Sequence, residues 1–365
     1  MSRRLGGFVV ALLAGAMPLA GQGLDRRIAT APEGNVQFHF AARAGVCGNG
    51  AGLLRTGDGS NYYTSFASDV GQAESCTAGP VRVVVVRVGR EIIKMETFAG
   101  PLTATPESGT DLGTVPAREA ATWLLAQATA LEGRPAREAL LPAVLGDSAT
   151  VTPTLATIAR DPERSRDLRR SAISWLSRRR AESGGIGSAA VARLLDEVVR
   201  DRSENESIRS TALSSIASLD RGEGVTAMIA FAAESDPWLS RQAWSALSRS
   251  GDPRARQFTR DAVRRTTLGD DLRVLAIQGI GGEYATGADY RLLRDLYSSL
   301  DSDRTRDAVV NALGTAGGRD NVNWLLALAE SKTEPAARRR RVVSLLGRLD
   351  EPRIREALRG MTEGR

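Results

Sequence analysis

LRRSAISWLS, starting at Leu168, is the first of six ten-residue stretches built on one pattern. The others are IRSTALSSIA from Ile208, LSRQAWSALS from Leu239, LRVLAIQGIG from Leu272, TRDAVVNALG from Thr305 and RRRRVVSLLG from Arg338. The fifth residue is small and apolar throughout (Ala172, Ala212, Ala243, Ala276, Val309, Val342), and the ninth is a branched aliphatic (Leu176, Ile216, Leu247, Ile280, Leu313, Leu346). Residues four apart lie on one face of an α-helix. The last four fifth positions stand 33 residues apart, and even self-similarity of this length marks a stacked array of helical units.

Each patterned helix follows an amphipathic partner, at 191–199, 225–233, 254–263, 290–297 and 322–328. An acidic turn separates the two: Asp161-Pro162, Asp201, Asp236-Pro237, Asp270-Asp271, then Asp301 and Asp303. Asp before Pro favours a turn and a helix start. A lone pair of such helices cannot bury its apolar stripe, so stacked neighbours must supply the core. Gly281, Gly314 and Gly347 at the tenth position suit helix C-termini that need a left-handed residue. Upstream, 117–131 and 137–145 read as a divergent first pair, with Leu141 at the fifth position. The spacing breaks once: 40 residues separate Ala172 from Ala212, and the excess holds Glu182-Ser183-Gly184-Gly185-Ile186-Gly187, an inserted loop.

The acidic turn, an Arg at position two (Arg169, Arg209, Arg273, Arg306, Arg339), the small fifth residue and the aliphatic ninth together resemble the HEAT-repeat family. The likeness is to its short, bilin-lyase-type repeats, over roughly residues 117–360. Ser240 departs from the Arg at position two, and Thr305 and Arg338 from the apolar residue at position one. The resemblance implies an α-solenoid that binds other macromolecules, its second helices lining the inner face.

Ahead of the helices the texture is β. Val36, Phe38 and Phe40 alternate with Gln37 and His39, and the β-branched run 81–88 turns at Gly89-Arg90 into 91–98 as a hairpin. A Gly-, Ser- and Asn-rich stretch, 57–79, holds Asn61-Tyr62-Tyr63. The two cysteines, Cys47 and Cys76, flank it and read as a disulfide in an exported chain. Ser2-Arg3-Arg4, the apolar run 8–20 and the small residues to Gly21 form a secretory signal. The expected order is a signal at 1–21, a small disulfide-linked β domain at 24–100, a Pro-, Thr- and Gly-punctuated linker at 101–116, and a solenoid of about seven repeats at 117–365. The fold class is mainly α, and the location periplasmic or secreted with no transmembrane segment once the signal is gone.

The formal charge of +6 does not indicate nucleic acid, because Arg3 and Arg4 sit in the leader and an exported protein rarely meets it. With His39 as the single histidine, a nucleophile–His–acid arrangement has little to draw on. No phosphate-cradling glycine motif is present, and two cysteines do not make a metal site. Asp58-Gly59-Ser60-Asn61 lacks the distal Glu of a calcium loop. The reading is a non-enzymatic scaffold without cofactor or metal, which holds another protein through an acidic surface of that partner.

Candidate binding residues are Arg170, Arg241 and Arg340 at position three and Trp238 in the Asp236-Pro237-Trp238 turn, an interface-type anchor. Each has a structural counter-reading: Arg tied to an acidic turn, Trp packed on a neighbouring repeat. Position seven is polar throughout (Ser174, Ser214, Ser245, Gln278, Asn311, Ser344), and 338–341 is a basic run suited to an anionic surface or a solvated face. Trp175, Trp244 and Trp324 read as core. The alternative function places a glycan, peptide or small-ligand site, or hydrolysis of an envelope substrate, at the Asn61-Tyr62-Tyr63 loop.

Overall fold

The computed structural model describes residues 23–57, 61–63, 76–102, 109–219, 222–265, 267–349 and 352–363. The expected signal, most of the 57–79 stretch and the middle of the expected linker lie outside these residues. The N-terminal elements are α1 (Leu24–Thr30), β1 (Gly34–Phe40), β2 (Val46–Gly48), β3 (Leu53–Thr56), β4 (Asn61–Tyr63), β5 (Thr77–Ala78), β6 (Val81–Val88), β7 (Glu91–Ala99) and β8 (Gly109–Thr114). The helices that follow begin with α2 (Ala117–Ala130), α3 (Gly133–Leu145), α4 (Thr152–Arg160), α5 (Arg166–Arg179), α6 (Ser188–Arg200) and α7 (Glu206–Ala217). Next come α8 (Glu223–Ala232), α9 (Pro237–Ser248), α10 (Pro253–Val263), α11 (Asp270–Ile280) and α12 (Gly287–Leu296). The last are α13 (Asp303–Ala316), α14 (Arg319–Glu330), α15 (Ala336–Leu346) and α16 (Pro352–Glu363). Among the described residues no helix is long and apolar enough to cross a membrane.

The β texture forms two four-stranded sheets, ordered β7-β6-β1-β8 and β4-β3-β2-β5. Val36, Phe38 and Phe40 lie opposite Val85, Val83 and Val81 in antiparallel register, and all six are fully buried. Cys47 and Cys76 are bonded, tying β2 to the chain just before β5. Two expectations are corrected here. Residues 24–30 are helical, because Leu24 and Ile28 bury one face and the Arg87 guanidinium donates to the carbonyls of Ile28 and Ala31 at the helix end. The expected linker is not one throughout: Gly109–Thr114 adds to the sheet as β8, parallel to β1.

The β region is not a free-standing domain either. Trp123 of α2 meets Phe38 edge-on with ring centres 5.8 Å apart, and its indole N–H donates to Asp25. Glu138 of α3 accepts the Met95 amide of β7, which blunts that edge strand. The backbone of 41–43 bonds to that of 145–147. Sheets and first helices therefore share one core, and the chain divides into two compact units at Leu194/Leu195, inside α6. This replaces the division at 100–117 drawn from composition.

The helices pair as expected within each unit: α2–α3 and α4–α5 in the first, and α8–α9, α10–α11, α12–α13 and α14–α15 in the second. In the six patterned helices every fifth-position residue is fully buried and every ninth-position residue is nearly so, whereas Leu141 of the divergent first pair is half-buried. In the second unit, α9, α11, α13 and α15 pack side by side. Gly281 and Gly314 serve this packing and not a left-handed cap: Gly281 has φ −85°, and a Cβ there would stand 2.6 Å from the Ala312 Cβ of the next second helix, while one on Gly314 would meet Leu345 at 3.3 Å. Gly279 of α11 faces backbone as well, with a Cβ falling 2.7 Å from the Ser248 Cα.

One buried ion cluster crosses neighbouring repeats. Asp289 of α12, 1% exposed, accepts from Arg256 and Arg260 of α10 at 2.8 and 2.6 Å, and forms a capping box with Thr286. Burial disfavours its charge, but donors from Arg260, Thr286 and Arg256 outweigh that and hold the carboxyl well below the ordinary carboxylate range. Asp289→Asn is expected to lower the urea-unfolding free energy of the second unit by about 2–4 kcal/mol at neutral pH. A group with a depressed folded pKa contributes fully above its unfolded pKa of about 4 and loses that contribution as pH falls through the folded value. The gap between wild type and variant should therefore close only in strong acid. Reduction of Cys47–Cys76, which closes a 29-residue separation, is expected to cost the first unit about 3–4 kcal/mol, read by urea unfolding with and without reductant.

Candidate functional site

The second helix of each hairpin has a side committed to structure and a side left open. Position two belongs to the first. Arg169 Nε donates to the Ala159 carbonyl at 3.1 Å, Arg209 Nε to Val199 at 2.8 Å and Arg306 Nε to Leu300 at 2.7 Å, while Arg273 reaches the carbonyl of Arg265. Each acceptor lies at or just beyond the end of the preceding helix, where carbonyls have no intrahelical donor. Ser240, the departure from Arg, makes the same bond through Oγ to the Ala232 carbonyl at 2.9 Å. The sequence suggests acidic turns as partners for these arginines. The observed partner in these five helices is backbone, and Arg209 adds an acidic turn, through Asp236 at 2.9 Å; Arg339 is the exception, its Nε buried without a hydrogen-bond partner among the described residues.

Position one shows the same economy. Thr305 is fully buried, with its hydroxyl on the Ser302 carbonyl. Arg338, 4% exposed, is held by Glu334 of its own turn and by Asp303 and Asp307 of α13. It therefore does not join an exposed 338–341 run. Burial works against its charge, but Glu334, Asp303 and Asp307 more than offset this and raise its pKa further.

Trp238 is clamped, not presented. It sits half-buried in the first turn of α9, with its indole N–H on Glu206 at 2.8 Å and the Arg209 guanidinium 4.1 Å over its ring. Asp236 caps the same helix through the amides of Trp238 and Leu239. Burial would raise the Asp236 carboxyl, and the bonds from Arg209 and those amides bring it below its usual range. Glu206, Arg209, Asp236 and Trp238 thus brace consecutive repeats. Their joint role is invisible in sequence because Glu206 stands 32 residues from Trp238. Of the other tryptophans, Trp175 and Trp244 are core, and Trp324 is half-buried, edge-on to Tyr297 at 5.0 Å.

The position-three arginines lie on the open side. Arg241, 59% exposed, reaches Asp271 at the start of α11, and Asp271 also takes Arg304 from α13, so one carboxylate bridges three repeats. Hydrogen bonding from Arg241, then the charge of Arg304, lowers the Asp271 pKa. Arg340 is exposed and makes no hydrogen bond or ion pair among the described residues. In the first unit, Arg170 is exposed with Asp167 at 3.9 Å, and Arg137 of α3 also reaches Asp167. Position seven remains accessible in the second unit, from Ser214 and Ser245 through Gln278 and Asn311 to Ser344. One turn on, Arg249 and Arg348 are exposed. The open face is thus a polar stripe of small hydroxyls and amides with arginines along it, able to donate hydrogen bonds and positive charge to carboxylates.

In the β region, His39 Nε2 lies 2.7 Å from Thr114 Oγ1 of the neighbouring strand. The side chains of Asn61, Tyr62 and Tyr63 fall outside the described residues, so the alternative site gains no geometry.

Compared with solved structures, the chain is similar to human deoxyhypusine hydroxylase in complex with glycerol, at 15% identity and a TM-score of 0.26, covering 57% of this chain and 88% of that one. It is also similar to the complex of CpcE and CpcF of phycocyanin lyase from Nostoc sp. PCC7120, at 14% identity and a TM-score of 0.30, covering 54% of this chain and 76% of that one. No protein-family model matches the sequence, and no curated protein does. Both solved structures are HEAT-like repeat proteins. The helical hairpins described above are HEAT-like, a statement that rests on their own pairing and buried pattern.

Trp238→Ala is expected to cost about 1–3 kcal/mol, since it removes an aromatic packed against a guanidinium and leaves Glu206 without its donor. Arg241→Glu, on the exposed side, should stay within about 1 kcal/mol. Urea unfolding of the two variants checks this contrast.

Proposed function

We propose that the protein is an exported, non-enzymatic scaffold whose second helices hold another protein by an acidic surface. The observation that carries this reading is the division of labour on those helices. Positions five and nine are consumed by packing, and positions one and two mostly by packing and capping, whereas positions three and seven and the turn beyond keep accessible arginines and small polar groups. A regular row of such groups on rigid helices suits many modest contacts with one macromolecular partner. Rim charges of this kind act on encounter rate and register more than on depth of binding, so affinity should fall with salt.

Support for export comes from the leader-like start and from the location of the only cysteines. Both lie in the first unit, bonded to each other, and such bonds persist in oxidising compartments. Support for a non-enzymatic role is the scarcity of catalytic groups: the single histidine is a strand residue bonded to a threonine.

The test is cross-linking capture from envelope extract by protein starting at Gln22, with the linked peptides mapped by mass spectrometry. Links concentrated on α9, α11, α13 and α15, saturable with one protein, are the expected result. Arg340→Glu combined with Arg348→Glu should weaken capture by about fivefold or more with unchanged helical circular dichroism. Links confined to 57–79 would transfer the function to the β region. Point variants are the right tool for that alternative, because removing the sheets would strip α2 and α3 of their core.

A further inference from the structure

The one break in the repeat spacing, the loop 182–187, borders an open surface cavity of about 360 Å³ in the first unit, lined by Arg118, Ala121, Thr122, Thr150, Ser183 and Gly184. Two features make this loop a rigid wall. The Glu182 carboxylate, 3% exposed, turns away from the cavity and accepts the Val151 and Thr152 amides, both at 2.9 Å, the Thr152 hydroxyl and Arg179 at 2.8 Å. On the other side of Ser183 and Gly184, the Ile186 amide donates to Thr152 Oγ1, and a Cβ on Gly185 would fall 2.2 Å from that same oxygen. The rim is thus pinned on both flanks, with Gly184 at φ +74° between them.

Arg118, an exposed residue of the lining, is anchored at one side of its guanidinium. Its Nε donates at 3.1 Å to the carbonyl of Ser148, the one non-glycine residue with positive φ (52°) among the described residues. Holding Nε on that carbonyl fixes the guanidinium plane, and its terminal nitrogens have no protein partner among the described residues. Non-glycine residues held in the left-handed region cluster at ligand clamps and active sites. The Thr150 and Ser183 hydroxyls carry no hydrogen bond among the described residues, and the Thr122 hydroxyl, which donates to the Arg118 carbonyl, keeps its lone pairs.

The lining therefore offers one oriented cation, hydroxyls that both donate and accept, and no carboxylate. That composition rejects cations and selects an oxyanion. The volume exceeds what an isolated anion fills, and the small faces of Ala121 and Gly184 leave room for a ring. We propose that this cavity binds a small hydroxylated oxyanion of monosaccharide size. A hexuronate and a hexose phosphate share this chemistry. The site does not depend on the scaffold reading, which concerns the second helices of the other unit.

Calorimetric titration of the full chain with glucuronate, glucose 6-phosphate, glucose and inorganic phosphate separates the possibilities. Saturable binding of either sugar anion with a Kd near or below about 1 mM, at least tenfold tighter than glucose and inorganic phosphate, is expected. The tighter of the two sugar anions identifies the source. Thr150→Val and Arg118→Met should each weaken that binding about tenfold. Thr150→Val is the cleaner variant, because its exposed hydroxyl supports nothing else and the melting temperature should not move. No saturable heat from either sugar anion overturns the proposal, as does binding of glucose or phosphate alone with equal strength. Unchanged affinity in Thr150→Val and Arg118→Met overturns it too.

Discussion

The end of each first helix leaves carbonyls without donors, and the repeat closes around that constraint. In five of the six patterned helices a side chain at position two turns back and donates to one of them: Arg169, Arg209, Ser240, Arg273 and Arg306. A guanidinium near the negative end of a helix is favoured electrostatically as well as by the hydrogen bond. This fixes the two helices of a hairpin at one separation before any apolar contact is counted. Arg87 does the same for α1 within the sheet region.

Once the hairpins are set, the second helices can approach closely only where side chains are missing. Gly279 and Gly281 supply that room on α11. Acidic residues at the starts of second helices then reach across repeats, with Asp236 on Arg209 and Asp271 on Arg241 and Arg304. The buried Asp289 cluster is the dry version of this tie, the Asp271 bridge the wet one, and Arg338 stands between them, itself buried but paired with an exposed Asp303. A dry pair broken on one side leaves an uncompensated charge and costs far more than a solvated one. Polar groups that ligands could use are those the ties leave over.

The helical part was legible in sequence because its signal is periodic. Fifth and ninth positions read from Ala172 to Leu346 are the core. The departures were legible only as departures: that Ser240 replaces Arg, and that Arg338 sits buried where an aliphatic is expected, needs the carbonyl of Ala232 and the carboxylates of Asp303 and Asp307 to make sense. The tenth-position glycines misled because capping and close packing both favour glycine, and only the neighbouring helix distinguishes them. The first unit was read less well. Gly109–Thr114 looks like linker in composition, yet pairs with β1, and no local signal reveals that Trp123 packs on Phe38. Trp238 drew attention as an anchor for a partner, and its partner is Arg209 of its own chain. The cavity beneath the 182–187 loop was marked in sequence by the broken spacing, but its lining comes from three separate segments.

The most direct test of the capping account is native-state hydrogen exchange on Ser240→Ala. Ser240 is the cleanest instance of the device, a neutral hydroxyl with one bond, to Ala232. If that bond holds the helix end, amides at 230–233 should exchange about fivefold or more faster in the variant. Those of α14, far along the same unit, should keep their rates. Unchanged exchange at 230–233 would contradict the account, and would mean that packing alone joins the helices of a hairpin.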